Sequence, residues 1–105
     1  MSRSQRDKGR RGAREALALL ADRDWTVVEA NSGKATEDAF ALDASKRPVA
    51  VEVKHHACIR LDDFRRQAKE QARRHGVDWL LMCRLPGHPH TFYVEGSRVE
   101  PAVWC

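Results

Sequence analysis

The chain has 105 residues, which is enough for one domain with a modest core and too few for two. Charged residues make up 32% of it and hydrophobic residues 42%, a balance that excludes the low hydrophobicity of a disordered chain. The formal charge of +4 is a modest imbalance overall, so the distribution of the basic residues is more informative than their excess.

The basic residues form two clusters. One lies in the first fourteen residues, where Asp7 is the single acid, and the other lies on a helix predicted further along the chain. Such clusters suit a phosphate backbone, but they also occur as a solvated tail and an exposed helix face, and charge alone does not decide between the two. The N-terminal cluster contains Arg3, Arg6, Lys8, Arg10, Arg11 and Arg14. The helix cluster contains Arg65, Arg66, Lys69, Arg73 and Arg74.

Cysteine usage and hydropathy bear on the cellular compartment. The three cysteines have no CxxC spacing and indicate neither a disulfide framework nor a cysteine zinc site, so Cys58 and Cys83 are expected to pack as small apolar residues. No run of about 18 apolar residues predicts a membrane span, and no secretory-type apolar stretch follows the basic N-terminus. We therefore expect a soluble, cytoplasmic protein with no membrane partner.

The N-terminal half is predicted to contain one helix and three strands. Residues 1–9 lack hydrophobic periodicity and are expected to form a flexible basic arm, which leaves 10–105 as a single domain. Ala and Leu at helical spacing predict a helix over residues 12–22. Because their connections are short, the three strands that follow should pair as an antiparallel meander. Alternation and turn-forming residues predict these strands over 25–30, 38–43 and 49–55.

The C-terminal half is predicted to contain one helix and two strands. Residues 61–76 should form a helix with a narrow apolar stripe, acids in its first turn and Gly76 as its C-terminal stop. Residues 79–85 have the pattern of a strand buried on both faces, which after a helix should lie parallel to the preceding strand. Residues 91–96 are expected to form an edge strand. The predicted fold class is α/β, a mixed sheet flanked by helices in the order α-β-β-β-α-β-β.

The third predicted strand, "VAVEVK" (49–54), carries an acid and a base on one face. Its alternation places Glu52 and Lys54 about 6 to 7 Å apart along the strand, and Asp38 can approach them if the preceding strand pairs with this one. Two carboxylates form a hard-cation site for Mg²⁺, which lowers the pKa of a bound water. A neighbouring lysine can orient that water or stabilise the charge that develops on phosphorus. This is the chemistry of phosphodiester hydrolysis.

The same spacing has a simpler explanation. Glu52 and Lys54 can form an exposed ion pair on a one-sided sheet, which is worth less than about 1 kcal/mol. An E-x-K triplet also occurs often by chance. The spacing alone does not decide between these two interpretations.

Four short motifs are more informative in their order along the chain than singly. They are Lys8-Gly9, "WTVVEANSG" (25–33), "EDAFALD" (37–43) and "VAVEVK" (49–54). In that order, followed by a basic helix and a buried strand, they resemble the PD-(D/E)XK nuclease superfamily. Within it the resemblance is closest to the archaeal-type Holliday junction resolvases and their phage and bacterial relatives. It covers roughly residues 8–95 and combines motifs that are weak individually. The resemblance implies a restriction-endonuclease-like fold.

The resemblance also implies roles for single residues. Asp38 and Glu52 correspond to the catalytic carboxylates that bind the metal, and Lys54 corresponds to the catalytic lysine. The main-chain carbonyl of Val53 corresponds to a further metal ligand. Ser32 lies in the loop where these resolvases carry a serine thought to act near the scissile phosphate, although a plain Asn-Ser-Gly turn also explains it.

The first helix departs from the resemblance. Relatives tend to read Gly-Glu-Arg-Glu where this chain reads "GARE" (12–15), so Ala13 stands at the position of the usual catalytic glutamate. Glu15 can complete the site only if the helix is rotated or the alignment shifts, because two residues correspond to about 200° around a helix. Otherwise Glu15 is an exposed acid in the first helical turn, where the helix dipole favours it.

Other polar residues near the motif have no assigned role. Gln67 and Gln71 lie on the second helix, where several superfamily nucleases place a glutamine near the site. His55 and His56 follow the lysine, but on a strand they point to opposite faces and cannot bind one ion as a pair.

Together these features predict a Mg²⁺-dependent DNA endonuclease, with Mn²⁺ as a substitute metal, that resolves Holliday junctions in branched DNA. A homodimer would match the near two-fold symmetry of the junction. The alternatives are a restriction-like, repair or nicking endonuclease on duplex DNA, and a nuclease-fold DNA-binding module without catalysis. The residues expected to contact phosphates are Arg10, Arg11, Lys34, Arg65, Arg66 and Lys69.

Overall fold

A computed structural model of the chain describes residues 3–30, 39–55, 60–88 and 90–105. In chain order these residues form the helix α1 (Arg3–Asp22), the strands β1 (Thr26–Ala30), β2 (Ala39–Leu42) and β3 (Pro48–Lys54), the helix α2 (Leu61–His75), and the strands β4 (Asp78–Arg84), β5 (Phe92–Gly96) and β6 (Val99–Trp104). None of the helices in these ranges is both long and apolar enough to cross a membrane.

The strands form one mixed sheet in the order β1-β2-β3-β4-β5-β6. The first three strands pair as the predicted antiparallel meander, with Ala39 opposite Val51 in the β2–β3 register. The chain then crosses through α2, and β4 runs parallel to β3 as predicted. Because these two strands are parallel, their carboxyl ends lie at the same edge of the sheet.

Each face of the sheet is covered by one helix. Side chains alternate between the faces of a strand, so Val51 and Val53 point toward α1 while Glu52 and Lys54 point toward α2. The β4 residues Leu80 to Cys83 are all buried, which confirms the prediction of a strand covered on both sides. The core on the α1 side contains Ala16, Leu20, Ala39, Ala41, Val49, Val51, Leu80, Met82, Phe92 and Val94, and the core on the α2 side contains Phe64, Ala68, Leu81 and Cys83.

The ends of α2 follow from its sequence. Asp62 and Asp63 lie in the first turn, where their charges favour the helix dipole. Gly76 ends the helix in the left-handed conformation at a φ of 65°, and its N–H donates to the last turn. The predicted bounds and stop of this helix are confirmed within one residue.

Three features differ from the sequence-based expectation, one of which is that β6 is absent from the predicted order α-β-β-β-α-β-β. The helix α1 begins at Arg3 rather than at residue 12, because Arg, Lys and Gln are good helix formers even where no apolar stripe marks a helix. The prediction of β5 as an edge strand is wrong, because β6 pairs outside it. Pro101 weakens the strand pattern of β6, and a proline is tolerated there because only one side of an edge strand forms a ladder.

Candidate active site

Glu52 and Lys54 lie together at the end of β3, beneath α2. Lys54 Nζ is 3.1 Å from Glu52 Oε1, and the two side chains are only 18% and 9% exposed. Burial of two charges costs free energy, and such pairs concentrate at functional sites. The pair therefore does not fit the simpler explanation of an exposed ion pair on a one-sided sheet.

Helix α2 supplies a second contact for the lysine. The ring centroid of Phe64 lies 5.3 Å from Lys54 Nζ, within the range of a cation–π contact. Phe64 is itself buried against Leu81 and Cys83. The ammonium group is thus held between a carboxylate and an aromatic ring, which restricts its orientation.

A cavity of about 510 Å³ opens between β3 and α2 at this pair. Glu52 and Lys54 line it from the strand, and residues of α2 that share one helical face line it from above. Its α2 residues are Arg66, Gln67, Glu70, Gln71 and Arg74. The cavity places an acid, a base and several hydrogen-bonding groups around one space.

Gln71 is the polar residue that α2 buries in this cavity. It is 2% exposed, and neither atom of its side-chain amide has a hydrogen-bond partner among the described residues. Such a group costs about 1 to 3 kcal/mol of stability and is uncommon in folded proteins. A signal was present in the sequence, because Gln71 follows Phe64 by seven residues and Ala68 by three, and so interrupts the apolar stripe with an amide.

The second predicted carboxylate, Asp38, lies outside the described residues, as do Ser32, Lys34 and His56. Ala39, which follows Asp38 in the chain, pairs with Val51, which precedes Glu52. Val53 lies between Glu52 and Lys54, with its side chain against the α1 core. The roles of Asp38, Ser32 and the Val53 carbonyl stay predictions.

Glu15 lies on the other side of the sheet. Its Oε2 is 3.1 Å from a guanidinium nitrogen of Arg84, and its Oε1 is 3.5 Å from His90 Nδ1. Arg84 follows Cys83 in β4, so its side chain points toward α1 and away from the face of Glu52. The described structure does not bring Glu15 to Glu52 and Lys54, and a catalytic role for Glu15 stays a prediction.

The "GARE" segment nevertheless approaches the end of β3. A Cβ atom at Gly12 would lie 3.1 Å from His55 Nδ1, and His55 follows Lys54 directly. Because glycine has no side chain, Gly12 permits α1 to approach the residue that follows β3 closely. Ala13, at the position of the usual acid, offers no ligand.

The basic residues of α2 divide into two flanks. Arg65 Nε donates to Glu95 Oε1 at 2.7 Å, and this hydrogen bond raises the pKa of Arg65. Lys69 Nζ lies 5.5 Å from the ring centroid of Trp79. Arg66 and Arg74 instead line the cavity, and Arg74 was not among the predicted phosphate contacts. Arg10 and Arg11 belong to α1, in a part of the helix whose side chains are not described.

The donor set fits a hard cation better than a soft one. Burial raises the pKa of Cys83 to about 12, so its thiol stays protonated and is a poor metal ligand at neutral pH. The described residues contain no group of three or more His, Cys, Asp and Glu side chains placed to hold a metal. Mg²⁺ needs only one or two carboxylates with several waters, and Glu52 beside an open cavity meets that requirement.

No family model and no curated protein sequence matches the chain. The structure is similar to that of Hjc from Archaeoglobus fulgidus, a Holliday junction resolvase from an archaeal hyperthermophile, with a TM-score of 0.57. The chain has the fold of this resolvase. The match covers 80% of this chain and 72% of Hjc at 22% sequence identity, so the likeness concerns the fold. The predicted α/β nuclease fold, with its mixed sheet between helices, is confirmed.

Proposed function

We propose that this protein is a metal-dependent DNA endonuclease that hydrolyses phosphodiester bonds in four-way junctions. The observation that carries the proposal is the shielded pair of Glu52 and Lys54, 3.1 Å apart in a cavity beneath a basic helix. The pair combines an anionic metal ligand with a cation at one end of β3. A protein that only binds DNA has no use for a shielded carboxylate at a surface that faces phosphates.

Glu52, together with Asp38 and the Val53 carbonyl, would hold the metal. When bound, Mg²⁺ or Mn²⁺ supplies an activated water and charge stabilisation at the scissile phosphate. Lys54 presents its ammonium group to the same space, where it can orient the attacking water or stabilise charge on phosphorus. The Gln71 amide can donate its N–H groups to water or to a phosphate oxygen, and its carbonyl oxygen can accept from water.

Branched DNA is the preferred substrate class in this proposal. Support comes from the fold shared with Hjc, which is a Holliday junction resolvase. A junction has near two-fold symmetry, so two copies of this chain would present one site to each of two equivalent strands. We therefore propose a homodimer on the junction.

A cleavage assay with a synthetic four-way junction tests the proposal. We expect paired, symmetric nicks near the branch point in Mg²⁺ or Mn²⁺ and none in EDTA, with slower cleavage of the linear arms. Equal cleavage of junction and arms would indicate the duplex endonuclease instead. Tight junction binding without cleavage in either metal would indicate the inactive DNA-binding module, a candidate that Ala13, at the position of the usual acid, keeps open.

Replacing Gln71 should separate stability from activity. Gln71→Met removes a buried amide that no described residue satisfies, so the free energy of unfolding should rise by about 1 kcal/mol. Cleavage should fall by about tenfold or more, because the amide no longer positions water or phosphate. Urea unfolding followed by tryptophan fluorescence and the initial cleavage rate measure the two effects.

Gln67→Met is the matched control for this change. Gln67 lines the same cavity but is exposed, so this variant should alter both quantities little. Unchanged cleavage by Gln71→Met would contradict the positioning role of the amide.

A further inference from the structure

The orientation of α2 over the sheet decides which of its residues surround the candidate site. Lys54, at the end of β3, lies beneath Phe64 near the start of α2. Phe40, which pairs with Ala50 earlier in β3, contacts His75 at the end of α2 with ring centroids 4.8 Å apart. The helix therefore runs antiparallel to β3, and Glu52 and Lys54 lie beneath its first and middle turns.

Arg66 and Arg74 lie at the two ends of the cavity along this helix. They are eight residues apart, which is about 12 Å along the axis of an α-helix. Phosphates of one B-form strand rise by about 3.4 Å along the duplex axis but lie about 7 Å apart through space, because the strand winds around that axis, so the span of about 12 Å covers about two phosphate steps. Both side chains are exposed, so their guanidinium groups can reach a bound strand.

The charges around these two arginines leave them available for phosphate. Arg66 contacts Asp63 at 3.3 Å, but Arg66 is 76% exposed and such surface pairs are weak. Arg74 forms no direct ion pair with a described residue, although the Glu70 carboxylate attracts it at longer range. The acid Glu70 also lines the cavity, but Arg73 binds it with two hydrogen bonds of 2.6 and 3.1 Å. These hydrogen bonds lower the pKa of Glu70, and Arg73 offsets its negative charge.

The other basic residues of α2 are occupied elsewhere. Arg65 bonds to Glu95, which is 7% exposed, and Lys69 lies over Trp79. Both point to the flank of the helix that covers β4 and β5. The basic residues of α2 thus lie on two flanks of the helix. One flank packs over β4 and β5, and the other faces the cavity.

We propose that Arg66 and Arg74 bind two phosphates of the same DNA strand, one on each side of the phosphate that faces Glu52 and Lys54. The inference rests on the proposed function and adds the path of the cleaved strand, which runs along α2. Arg66 holds the strand on the Lys54 side, and Arg74 holds it beyond Glu52.

The salt dependence of DNA binding tests this assignment. Binding of a fluorescent four-way junction is measured by anisotropy in metal-free buffer over a series of salt concentrations. The slope of log K against log salt concentration should decrease in magnitude by about 0.9 for Arg66→Ala and for Arg74→Ala, and by about 1.8 for the double variant. Cleavage by each variant should show a raised KM with a smaller change in kcat.

Arg98→Ala is the matched control, because it removes the same charge from an exposed site. Arg98 lines a different cavity with Trp25 and Asp78, at the opposite edge of the sheet from Lys54. Its slope should equal that of the wild type. The assignment would be overturned if the slopes of the Arg66 and Arg74 variants were unchanged, or if Arg98→Ala lowered the slope equally. Junction cleavage by the wild type would still support the proposed function in that case. A wild type that neither binds nor cleaves DNA would overturn both.

Discussion

Replacing Lys54 with alanine is expected to reduce metal-dependent cleavage by about 10³-fold or more while junction binding persists. The ammonium group lies 3.1 Å from Glu52 and 5.3 Å from the Phe64 ring, so it is fixed in place before substrate arrives. A group positioned in advance stabilises developing charge without reorganisation, and its loss should therefore lower the rate constant rather than the affinity. Single-turnover cleavage and anisotropy titration measure the two quantities separately.

A second variant, Lys54→Met, distinguishes the loss of the ammonium group from unfolding of the protein. Lys54→Ala leaves the shielded Glu52 carboxylate without this partner, which can destabilise the fold. Lys54→Met keeps the stem of the side chain against Phe64 and removes only the charge. Both variants should lose cleavage, circular dichroism should show them folded, and Arg98→Ala should cleave as the wild type does. Cleavage by a folded Lys54→Met protein at more than about a tenth of the wild-type rate would contradict the role of the ammonium group.

Glu52→Gln is expected to remove metal binding from the protein. The substitution keeps the size of the side chain and removes the negative charge that a hard dication requires. Calorimetric titration with Mn²⁺ and with Mg²⁺ should show an affinity at least about 100-fold lower than that of the wild type, and cleavage should be lost with it. The calorimetric readout is independent of DNA and of turnover.

Glu70→Gln tests whether metal binding requires Glu52 itself or only negative charge in the cavity. Glu70 lines the same cavity but is bound by Arg73, so its amide variant should retain metal binding. Equal heats of binding in wild type and Glu52→Gln would show that Glu52 is not a ligand. Equal losses in Glu52→Gln and Glu70→Gln would show that the titration reports the charge of the cavity.

Much of the candidate site follows from short-range patterns. The alternation of "VAVEVK" placed Glu52 and Lys54 on one face, because successive side chains of a strand point to opposite sides. The apolar stripe, the first-turn acids and Gly76 predicted α2 within one residue of its observed bounds. The short connections predicted the pairing of β2 with β3, on which the expected approach of Asp38 to Glu52 depends.

The sequence by itself therefore determined both helices apart from the start of α1, the first five strands, their order and the face that carries the acid and the base. Only the tertiary structure decided that α2 covers this face, that Arg65 bonds to Glu95 while Arg66 and Arg74 line the cavity, and that Glu15 pairs with Arg84. It also decided that β6 pairs outside β5. Periodicity depends on residues a few positions apart, whereas burial and ion pairing depend on residues such as Arg65 and Glu95, which are thirty positions apart and meet only when the chain has folded.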